Sequence, residues 1–484
     1  MTQPSEILGC ILAGGRSSRF GRDKARALLH GRPLLLHAAE WLRPVCRLVL
    51  AAADSPGKYQ DLQIETLVDD QPGQGPLAGL EAALQQAKSR LGEQAWVLLV
   101  PCDTPGLRPE WARQLLDARQ ADDLALAFRD QTAPPAAKAH GWEPMPALVS
   151  VRALPAVQLA LAQAQTALWR LLETVDARAV AQPADWLQHV HRLDTPDELH
   201  ELQELTQPAR DVPVRVQRWS LQDVAAADDW LASEEPLEIR VEHGPLGQRR
   251  SVVVGVVLRT PGHEVELAVG LLYSESAIEQ ATDVLDVIVN IGEHAAATVR
   301  LRPGLAFDTA RLSRHVVTSA ACGACGVRQL DLALPVGRGQ LHGVGTPVPW
   351  HILAELPEKL RALQTTFART GGLHAAGLFD LHGQPLRVRE DIGRHNALDK
   401  LVGFGVLYGQ PPGILVLSGR IGFELVQKAA LAGLPLLVGV GAPTSLAVDL
   451  ADRAGMTVVG FVRSGRGNVY TAPWRVVSDT ACDT

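Results

Sequence analysis

The sequence predicts two successive domains that each combine helices and strands: an α/β domain over residues 1–205 and an α+β domain over residues 213–484. A chain of 484 residues exceeds what one ordinary hydrophobic core holds, so more than one domain is expected. In the first part, short apolar runs alternate with amphipathic segments, which is typical of a mainly parallel sheet covered by helices. In the second part several strands follow one another before a helix is predicted, which favours an α+β arrangement.

The predicted elements of the first domain follow the apolar pattern. Strands are expected at residues 7–12, 47–52, 96–100, 124–128 and 147–149, and helices at 77–87, 110–118 and 154–163. A closing helix is predicted after Asp194-Thr195-Pro196, because Asp and Thr are good N-caps and proline suits the first helical position.

A polar segment, residues 206–212, is predicted to be the linker between the domains because it contains Pro208 and has no apolar period. After it, strands are expected at 214–219, 237–241, 251–259, 284–290 and 297–301, and a helix at 265–272.

Composition excludes several classes of protein. The net charge of −7 argues against general nucleic-acid binding. Residues 1–6 lack the basic start of a secretory signal, and the longest apolar runs, such as 434–442, are shorter than the roughly 20 residues of a membrane helix, so a cytoplasmic protein without membrane contact is expected. Six cysteines in this length do not indicate a disulfide scaffold.

Residues 11–25 combine glycines and cations directly after a predicted buried strand. The glycines are Gly14, Gly15 and Gly21, and the cations are Arg16, Arg19, Arg22 and Lys24. Glycine allows close backbone approach to a ligand, and guanidinium and ammonium groups bind phosphate oxygens, so a nucleotide triphosphate is the predicted ligand. The spacing matches neither the Walker loop nor the dinucleotide fingerprint. A basic surface turn is the structural alternative.

Two further segments are predicted at the carboxyl ends of strands, where an α/β sheet binds its ligands. Asp70 precedes a glycine- and proline-rich turn into a helix, and Asp103 follows the apolar run at 96–100. A carboxylate beside a phosphate site is suited to Mg²⁺, which makes Asp103 the candidate metal ligand. The structural alternative is an aspartate that forms a turn before Thr104-Pro105.

These three segments together resemble molybdenum cofactor guanylyltransferases, the MobA family, over residues 5–203. The resemblance implies a Rossmann-like nucleotidyltransferase that uses GTP and Mg²⁺ to attach GMP to molybdenum-molybdopterin. It also implies nucleotide contacts by Leu12, Ala13, Gly14, Gly15, Arg19, Lys24 and Asp70, and by Asp103 as nucleotide and metal ligand, with Lys24 and Asp103 as catalytic residues. A cytidylyltransferase or a sugar-phosphate nucleotidyltransferase is the alternative; the double glycine Gly14-Gly15 favours GTP over CTP.

Three positions depart from the usual pattern of that family. Phe20 stands where methionine is usual, Ala51–Ala53 replace a segment that often holds an asparagine, and Asp194 replaces a common asparagine. We therefore expect one nucleotide contact to be lost while the metal and phosphate ligands remain.

The only close cysteine pair is Cys322-Gly323-Ala324-Cys325. A structural zinc site needs four ligands, and no second pair of suitable spacing follows. The histidine and glutamate of a zinc deaminase are also missing from their usual place before the pair. From the motif alone, sulfur carriage by a reactive thiolate, metal binding and inert packing remain open.

Four segments of the second domain are dense in glycine and in polar residues: 367–376, 390–400, 418–428 and 442–447. Together with the cysteine pair they resemble the formate dehydrogenase accessory sulfurtransferases, the FdhD family, over residues 213–475. The resemblance implies a cytidine-deaminase-like fold and a homodimer. It also implies sulfur transfer from a cysteine desulfurase to the bis-molybdopterin guanine dinucleotide cofactor of formate dehydrogenase. Formate dehydrogenase and molybdopterin-handling proteins are further expected partners.

By the same resemblance, Cys322 carries the persulfide and Cys325 relays it. The cofactor contacts would be Phe461, Val462, Arg463, Ser464, Gly465 and Arg466. A basic surface turn is the alternative for this last segment. An internal polar network is the alternative for Asp391, Arg394, His395 and Asn396. For the whole domain, a cofactor-binding chaperone without sulfur transfer is the alternative.

Overall fold

The computed structural model describes residues 6–14, 20, 23–68, 75–130, 141–186, 190, 192–205, 207–221, 224–291, 294–307, 340–409 and 411–478. The chain divides into two compact units, the N-terminal unit (Met1–Glu204) and the C-terminal unit (Leu205–Thr484). Within the described ranges, none of the helices has the length and apolar character that a membrane crossing needs.

The N-terminal unit contains short and long strands separated by helices. Its strands are β1 (Ile7–Leu12), β2 (Leu28–Leu29), β3 (Arg32–Pro33), β4 (Leu48–Ala53), β5 (Glu65–Val68), β6 (Trp96–Pro101), β7 (Ala125–Arg129), β8 (Trp142–Ser150) and β9 (Arg178–Ala181). Its helices are α1 (Leu34–Leu42), α2 (Pro76–Leu91), α3 (Pro109–Asp117), α4 (Leu154–Ala162), α5 (Leu168–Thr174) and α6 (Pro196–Leu205).

Seven of these strands form one sheet in the order β5-β4-β1-β6-β8-β7-β9. The pairs β5-β4, β4-β1, β1-β6 and β7-β9 are parallel, and β8 runs antiparallel to both β6 and β7. The predicted α/β class with a mainly parallel sheet is therefore confirmed. The apolar sequence of β1 is explained by its place inside the sheet, where a parallel strand is covered on both faces.

Several elements of this unit were not predicted, and each lacks a clear sequence period. Helix α1 buries seven of its nine residues, so its apolar positions do not mark a single face. Strands β5 and β9 have only four residues each, and each buries one of them. Helix α6 begins as predicted: Thr195 Oγ1 accepts a hydrogen bond from Glu198 N at 3.3 Å, and Glu198 Oε2 accepts one from Thr195 N at 3.0 Å.

The C-terminal unit is richer in strands. Its strands are β10 (Asp211–Trp219), β11 (Val224–Ala232), β12 (Glu235–His243), β13 (Arg250–Arg259), β14 (Val284–Asn290), β15 (Ala296–Leu301), β16 (Val348–Pro349), β17 (His374–Phe379), β18 (Pro385–Asp391), β19 (Ile414–Leu417), β20 (Leu436–Gly439), β21 (Thr457–Arg463), β22 (Arg466–Val469) and β23 (Val476–Val477). Its helices are α7 (Glu264–Ser274), α8 (Trp350–Leu363), α9 (Thr365–Thr370), α10 (Arg394–Tyr408), α11 (Phe423–Leu431) and α12 (Ser445–Ala454).

The strands form a six-stranded sheet, β18-β17-β19-β20-β21-β22, a four-stranded sheet, β13-β12-β15-β14, and the ribbons β10-β11 and β16-β23. Strand β10 begins at Asp211, so the last two residues of the segment predicted as linker belong to a strand. The reason is a partner that the sequence did not reveal: Asp211 pairs with Ala232, and Val212 pairs with Leu231 of β11.

The six-stranded sheet is covered on both faces. In β19, Leu415 and Leu417 pack in the apolar cluster that contains residues of α10, α11 and α12, while Ile414 and Val416 pack with α8 on the opposite face. This alternation makes a layered arrangement around a central sheet. Helix α7 crosses α10 closely, because a Cβ on Gly270 would lie 1.9 Å from the carbonyl oxygen of Asp399.

Candidate functional site

In the N-terminal unit, the carboxyl ends of β1, β4 and β6 meet at one edge of the sheet. Ala13 N donates to the carbonyl of Ala52 at 3.0 Å, and Cys102 N donates to the carbonyl of Leu12 at 3.2 Å. These bonds bring the start of the glycine-rich segment next to the loop that contains Asp103. The two strand-end segments predicted to share a ligand therefore lie side by side.

Lys24 is the first residue of a short 3₁₀ helix, Lys24–Arg26, and Asp23 is the N-cap of that helix. Asp23 Oδ1 accepts a hydrogen bond from Ala25 N at 3.1 Å. The hydroxyl of the fully buried Tyr59 lies 3.2 Å from the other oxygen of Asp23 and donates to it. Burial, followed by the charge of Asp23, raises the pKa of Tyr59, so the phenol stays protonated and remains a donor.

The side chain of Lys24 reaches two carboxylates. Its Nζ donates to Asp103 Oδ2 at 2.7 Å and to Asp194 Oδ1 at 3.0 Å. Burial alone would lower the pKa of Lys24, but the hydrogen bonds and charges of the two aspartates outweigh it and raise the pKa. Lys24 is therefore a permanent cation held at the edge of the sheet, with 13% of its side chain exposed.

Asp194 is held in place by backbone contacts. Leu193 N donates to the carbonyl of Asp103 at 3.0 Å, which joins the segment before α6 to the loop after β6. Asp194 N donates to Glu198 Oε2 at 2.5 Å, as part of the cap of α6. The departure from the usual asparagine thus lies inside the site and beside Lys24.

The residues at this edge fit a magnesium ion bound together with phosphates. Mg²⁺ takes one or two protein carboxylates and completes its shell with phosphate oxygens and water. Asp103 and Asp194 supply two carboxylates within 3.0 Å of one ammonium. Among the described residues, no group of three or more His, Cys, Asp or Glu side chains is arranged to hold a metal.

Glycines at this edge have different roles. A Cβ on Gly79 in α2 would lie 2.8 Å from Leu12 Cδ2, so this glycine lets the helix pack against the end of β1. A Cβ on Gly14 would find only ordinary contacts, 3.7 Å from the carbonyl oxygen of Ala52 and 3.8 Å from Ala53 Cα. Packing among the described residues therefore does not explain why position 14 is glycine.

Several candidate residues lie outside the described residues, namely Gly15, Arg19, Asp70, Cys322 and Cys325. The sequence reasoning missed Tyr59, which supports Asp23, and Asp61, which binds Arg26 in a bidentate pair at 2.7 and 2.8 Å. A single tyrosine or aspartate gives no sequence signal for a contact with a residue about 35 positions away in the chain. The departures at Phe20 and Ala51–Ala53 are buried apolar positions.

In the C-terminal unit, three loops meet at the carboxyl ends of the parallel strands β19, β20 and β21. Phe461 N donates to the carbonyl of Gly441 at 3.2 Å. A Cβ on Gly441 would lie 2.7 Å from the carbonyl oxygen of Gly419, and one on Gly460 would lie 3.2 Å from that of Gly441. These glycines therefore allow backbone to pack closely on backbone at the carboxyl edge of this sheet.

The segment Phe461–Arg466 forms an irregular strand end and a two-residue turn. Phe461 (φ 56°), Ser464 (φ 50°) and Gly465 (φ 77°) have positive φ, which is unusual for a phenylalanine. Phe461 is half exposed while Val462 is fully buried. Arg463 and Arg466 are exposed and directly paired across the hairpin, and such facing like charges are unfavourable unless an anion lies near them.

The polar run at residues 390–400 is largely an internal hydrogen-bond network. Asp391 is fully buried and accepts hydrogen bonds from Thr260 N at 3.1 Å, Gly393 N at 2.9 Å and Asn396 Nδ2 at 3.0 Å. Lys400 Nζ lies 2.7 Å from Asp391 Oδ2 and is itself buried. Asp391 and Asn396 therefore belong to an internal polar network, which was the alternative considered from the sequence.

His395 differs from these neighbours. Its Nδ1 lies 3.1 Å from Glu424 Oε2 without hydrogen-bond alignment, and among the described residues neither ring nitrogen has a hydrogen-bond partner. Burial, and then the charges of Lys428 and Arg394, lower its pKa to about 3, so the imidazole is neutral.

Two family models match the chain in succession. The MobA-like NTP transferase domain matches residues 9–181, and the FdhD/NarQ family matches residues 232–477. Both resemblances found in the sequence are thereby confirmed.

Two sulfur carrier proteins are similar to about half of the chain. The chain is 46% identical over 263 residues to the sulfur carrier protein FdhD of Nocardia farcinica, covering 52% of this chain and 90% of that protein. It is 41% identical over 275 residues to the protein of the same name from Mycobacterium tuberculosis, covering 54% of this chain and 97% of that protein.

Two solved structures are each similar to part of the chain. A formate dehydrogenase accessory protein of Desulfotalea psychrophila matches with a TM-score of 0.44 and 21% identity, covering 56% of this chain and 100% of the other. Molybdopterin-guanine dinucleotide biosynthesis protein A of Archaeoglobus fulgidus matches with a TM-score of 0.33 and 21% identity, covering 41% of this chain and 97% of the other.

Proposed function

The chain belongs to the FdhD/NarQ family and carries a MobA-like NTP transferase domain ahead of it, and from that premise we propose that it matures the molybdenum cofactor in two steps. The N-terminal unit transfers GMP from GTP to molybdopterin. The C-terminal unit transfers sulfur from a cysteine desulfurase to the guanylylated cofactor that formate dehydrogenase uses. The observation that carries the proposal is the pairing of these two domains, because the product of the first is the cargo expected of the second.

The contacts of Lys24 support the first activity. A cation beside Asp103, at the carboxyl ends of β1 and β6, suits the charge of a triphosphate. In the transfer, a terminal phosphate of molybdopterin attacks the α-phosphorus of GTP, a new P–O bond forms, and the bond to pyrophosphate breaks. Lys24 neutralises charge on the phosphates, and Asp103 with Asp194 would hold Mg²⁺, which withdraws electron density from phosphate oxygens when bound. The attacking phosphate is already anionic, so no general base is needed.

The nucleotide is the sharpest test of this step. The intact chain is incubated with molybdopterin and Mg²⁺, and with GTP or CTP, while pyrophosphate release and the dinucleotide product are measured. We expect product with GTP and little with CTP. The same incubation without molybdopterin separates transfer from hydrolysis. Equal use of CTP, or pyrophosphate release without dinucleotide product, would show that the assignment is wrong.

For the second activity, the thiolate of Cys322 would attack the terminal sulfur of the desulfurase persulfide, and the desulfurase cysteine would leave as a thiolate. Sulfur moves without net oxidation. Support comes from the family membership and from the exposed Phe461 and the paired cations Arg463 and Arg466 at a strand end. The two arginines suit the phosphates of a guanylylated cofactor.

Mass spectrometry tests this step directly. After incubation with a cysteine desulfurase and cysteine, a peptide that contains Cys322 should gain one sulfur. Cys10, Cys46 and Cys102 serve as controls in the same digest, because they are buried and burial raises the pKa of each thiol, to about 12 for Cys10 and Cys102. Absence of the added sulfur on Cys322, or equal labelling of the buried cysteines, would contradict the proposal.

A further inference from the structure

Resting on the proposed guanylyl transfer, we propose that Asp194 is the second carboxylate of the cation site and that Lys24 occupies this carboxylate pair until nucleotide and cation bind. Asp103 was the single metal ligand expected from the sequence. The contacts of Lys24 extend the site to Asp194, which lies 91 positions after Asp103 in the chain.

Asp194 is positioned from both sides of its backbone. Its preceding neighbour, Leu193, donates its N–H to the carbonyl of Asp103, so the two aspartates are fixed next to each other. Its own N–H and that of Thr195 donate to the carboxylate of Glu198 in the first turn of α6. A loop held by three hydrogen bonds presents its side chain with little loss of conformational entropy, as a ligand to an ion requires.

Lys24 places a positive charge against both carboxylates. One ammonium nitrogen lies within 3.0 Å of an oxygen from each aspartate. Two carboxylates and one ammonium leave one negative charge uncompensated, whereas a divalent cation would balance both. Lysine has a flexible stem, so Lys24 can leave the pair and place its charge on a phosphate oxygen.

The aspartate itself is part of the inference. An asparagine at position 194 could offer a carbonyl oxygen but no charge, so it would compete less well for a divalent cation. The replacement adds a negative charge beside Asp103 and gives Lys24 its second partner. Asp197 lies in the first turn of the same helix, is exposed, and provides a matched position for the same substitution.

The experiment measures binding of Mn²⁺ to the full chain by electron paramagnetic resonance, with and without a non-hydrolysable GTP analogue, whose own binding is measured in the same samples. With the analogue present, Asp194→Asn should weaken Mn²⁺ binding by about tenfold or more, and Asp197→Asn should not change it. Without the analogue, Lys24→Met should tighten Mn²⁺ binding by a similar factor, and adding Asp194→Asn should abolish that gain. Thermal unfolding of each variant verifies that the N-terminal unit remains folded.

Wild-type Mn²⁺ affinity in Asp194→Asn, or no gain in Lys24→Met, would overturn the inference while leaving the proposed transfer in place. Failure of the wild-type chain to bind the GTP analogue would instead count against the proposed transfer. In that case the two nucleotide-free variants still decide whether Lys24 and the cation compete for Asp194.

Discussion

Each unit holds a lysine against an aspartate beside a strand end, but the two pairs differ in how fully the aspartate is bound. Asp391 in the C-terminal unit accepts hydrogen bonds from two backbone amides and from Asn396, and Lys400 completes its shell. Asp103 in the N-terminal unit keeps one oxygen on Lys24, whose stem is flexible and partly exposed.

The pKa directions of the two lysines differ because Lys400 is fully buried with one aspartate, whereas Lys24 is less buried and contacts two. Burial is the largest influence on both. In Lys400 it outweighs the charge of Asp391 and lowers the pKa, whereas in Lys24 the two aspartates outweigh it and raise the pKa. A carboxylate that is saturated by backbone amides fixes a loop. A carboxylate whose main partner is a mobile cation can exchange that partner for a ligand.

The largest expected effect is on stability and separates the two pairs directly. Asp391→Ala leaves Lys400 buried without its counter-ion and should lower the free energy of unfolding of the C-terminal unit by about 3–5 kcal/mol. Asp194→Ala, in the more exposed pair, should cost less than about 1 kcal/mol. Hydrogen exchange measured by mass spectrometry resolves the two units; equal losses would break the comparison.

Two glycines extend the comparison between the structural network of the C-terminal unit and the candidate ligand site of the N-terminal unit. Gly270→Ala would force a Cβ against the backbone of Asp399 and should destabilise the C-terminal unit by about 3 kcal/mol. Gly14→Ala meets only ordinary contacts and should change stability by less than about 0.5 kcal/mol while weakening GTP binding. Denaturant titration with GTP binding on the same samples measures both. Unchanged GTP affinity in Gly14→Ala would remove this glycine from the site.

The acid stability of the C-terminal unit depends on His395. Its pKa is 6.5 when unperturbed and about 3 in the fold, so between these values the unfolded chain binds more protons. The contribution of His395 to stability is therefore complete above pH 6.5 and is lost as the pH falls toward 3. Relative to His395→Gln, the wild-type unit should lose up to about 1.4 kcal/mol of stability for each pH unit within this range. Parallel pH profiles for the two proteins would contradict the prediction.

A small gain in stability is expected in the hairpin at Phe461–Arg466. Removing one of two facing cations, as in Arg463→Thr, should raise the stability of the hairpin by about 0.2–1 kcal/mol while weakening binding of the guanylylated cofactor. Arg218→Thr is the control, because Arg218 is exposed on β10 opposite Ala225. A loss of stability without loss of binding would mean that the arginines are only structural.

The sheet edge that holds Lys24 and Asp103 could be predicted from the sequence, because a continuous apolar strand precedes each of these residues. Ile7–Leu12 and Trp96–Pro101 are such strands, and Lys24 and Asp103 follow them. The order of short apolar runs and amphipathic segments was also enough for the α/β class. The cap of α6 followed from Thr195 and Pro196, since capping is a local interaction.

The remaining contacts depend on tertiary structure. The contact of Lys24 with Asp194 spans 170 positions, and that of Thr260 with Asp391 spans 131, so no local pattern encodes them. The sequence presented the runs around Lys24 and Lys400 as equally rich in charge. Only burial and the count of backbone donors on each aspartate distinguish a ligand site from an internal network.

The central claim is that one chain carries two separable activities, and a double dissociation tests it most directly. Guanylyl transfer from GTP to molybdopterin, and sulfur transfer from a desulfurase to the guanylylated cofactor, are measured on the wild-type chain, Asp103→Ala and Cys322→Ala. We predict that Asp103→Ala loses guanylyl transfer and keeps sulfur transfer, and that Cys322→Ala does the reverse. Retained guanylyl transfer in Asp103→Ala with Mg²⁺, or retained sulfur transfer in Cys322→Ala, would contradict the account.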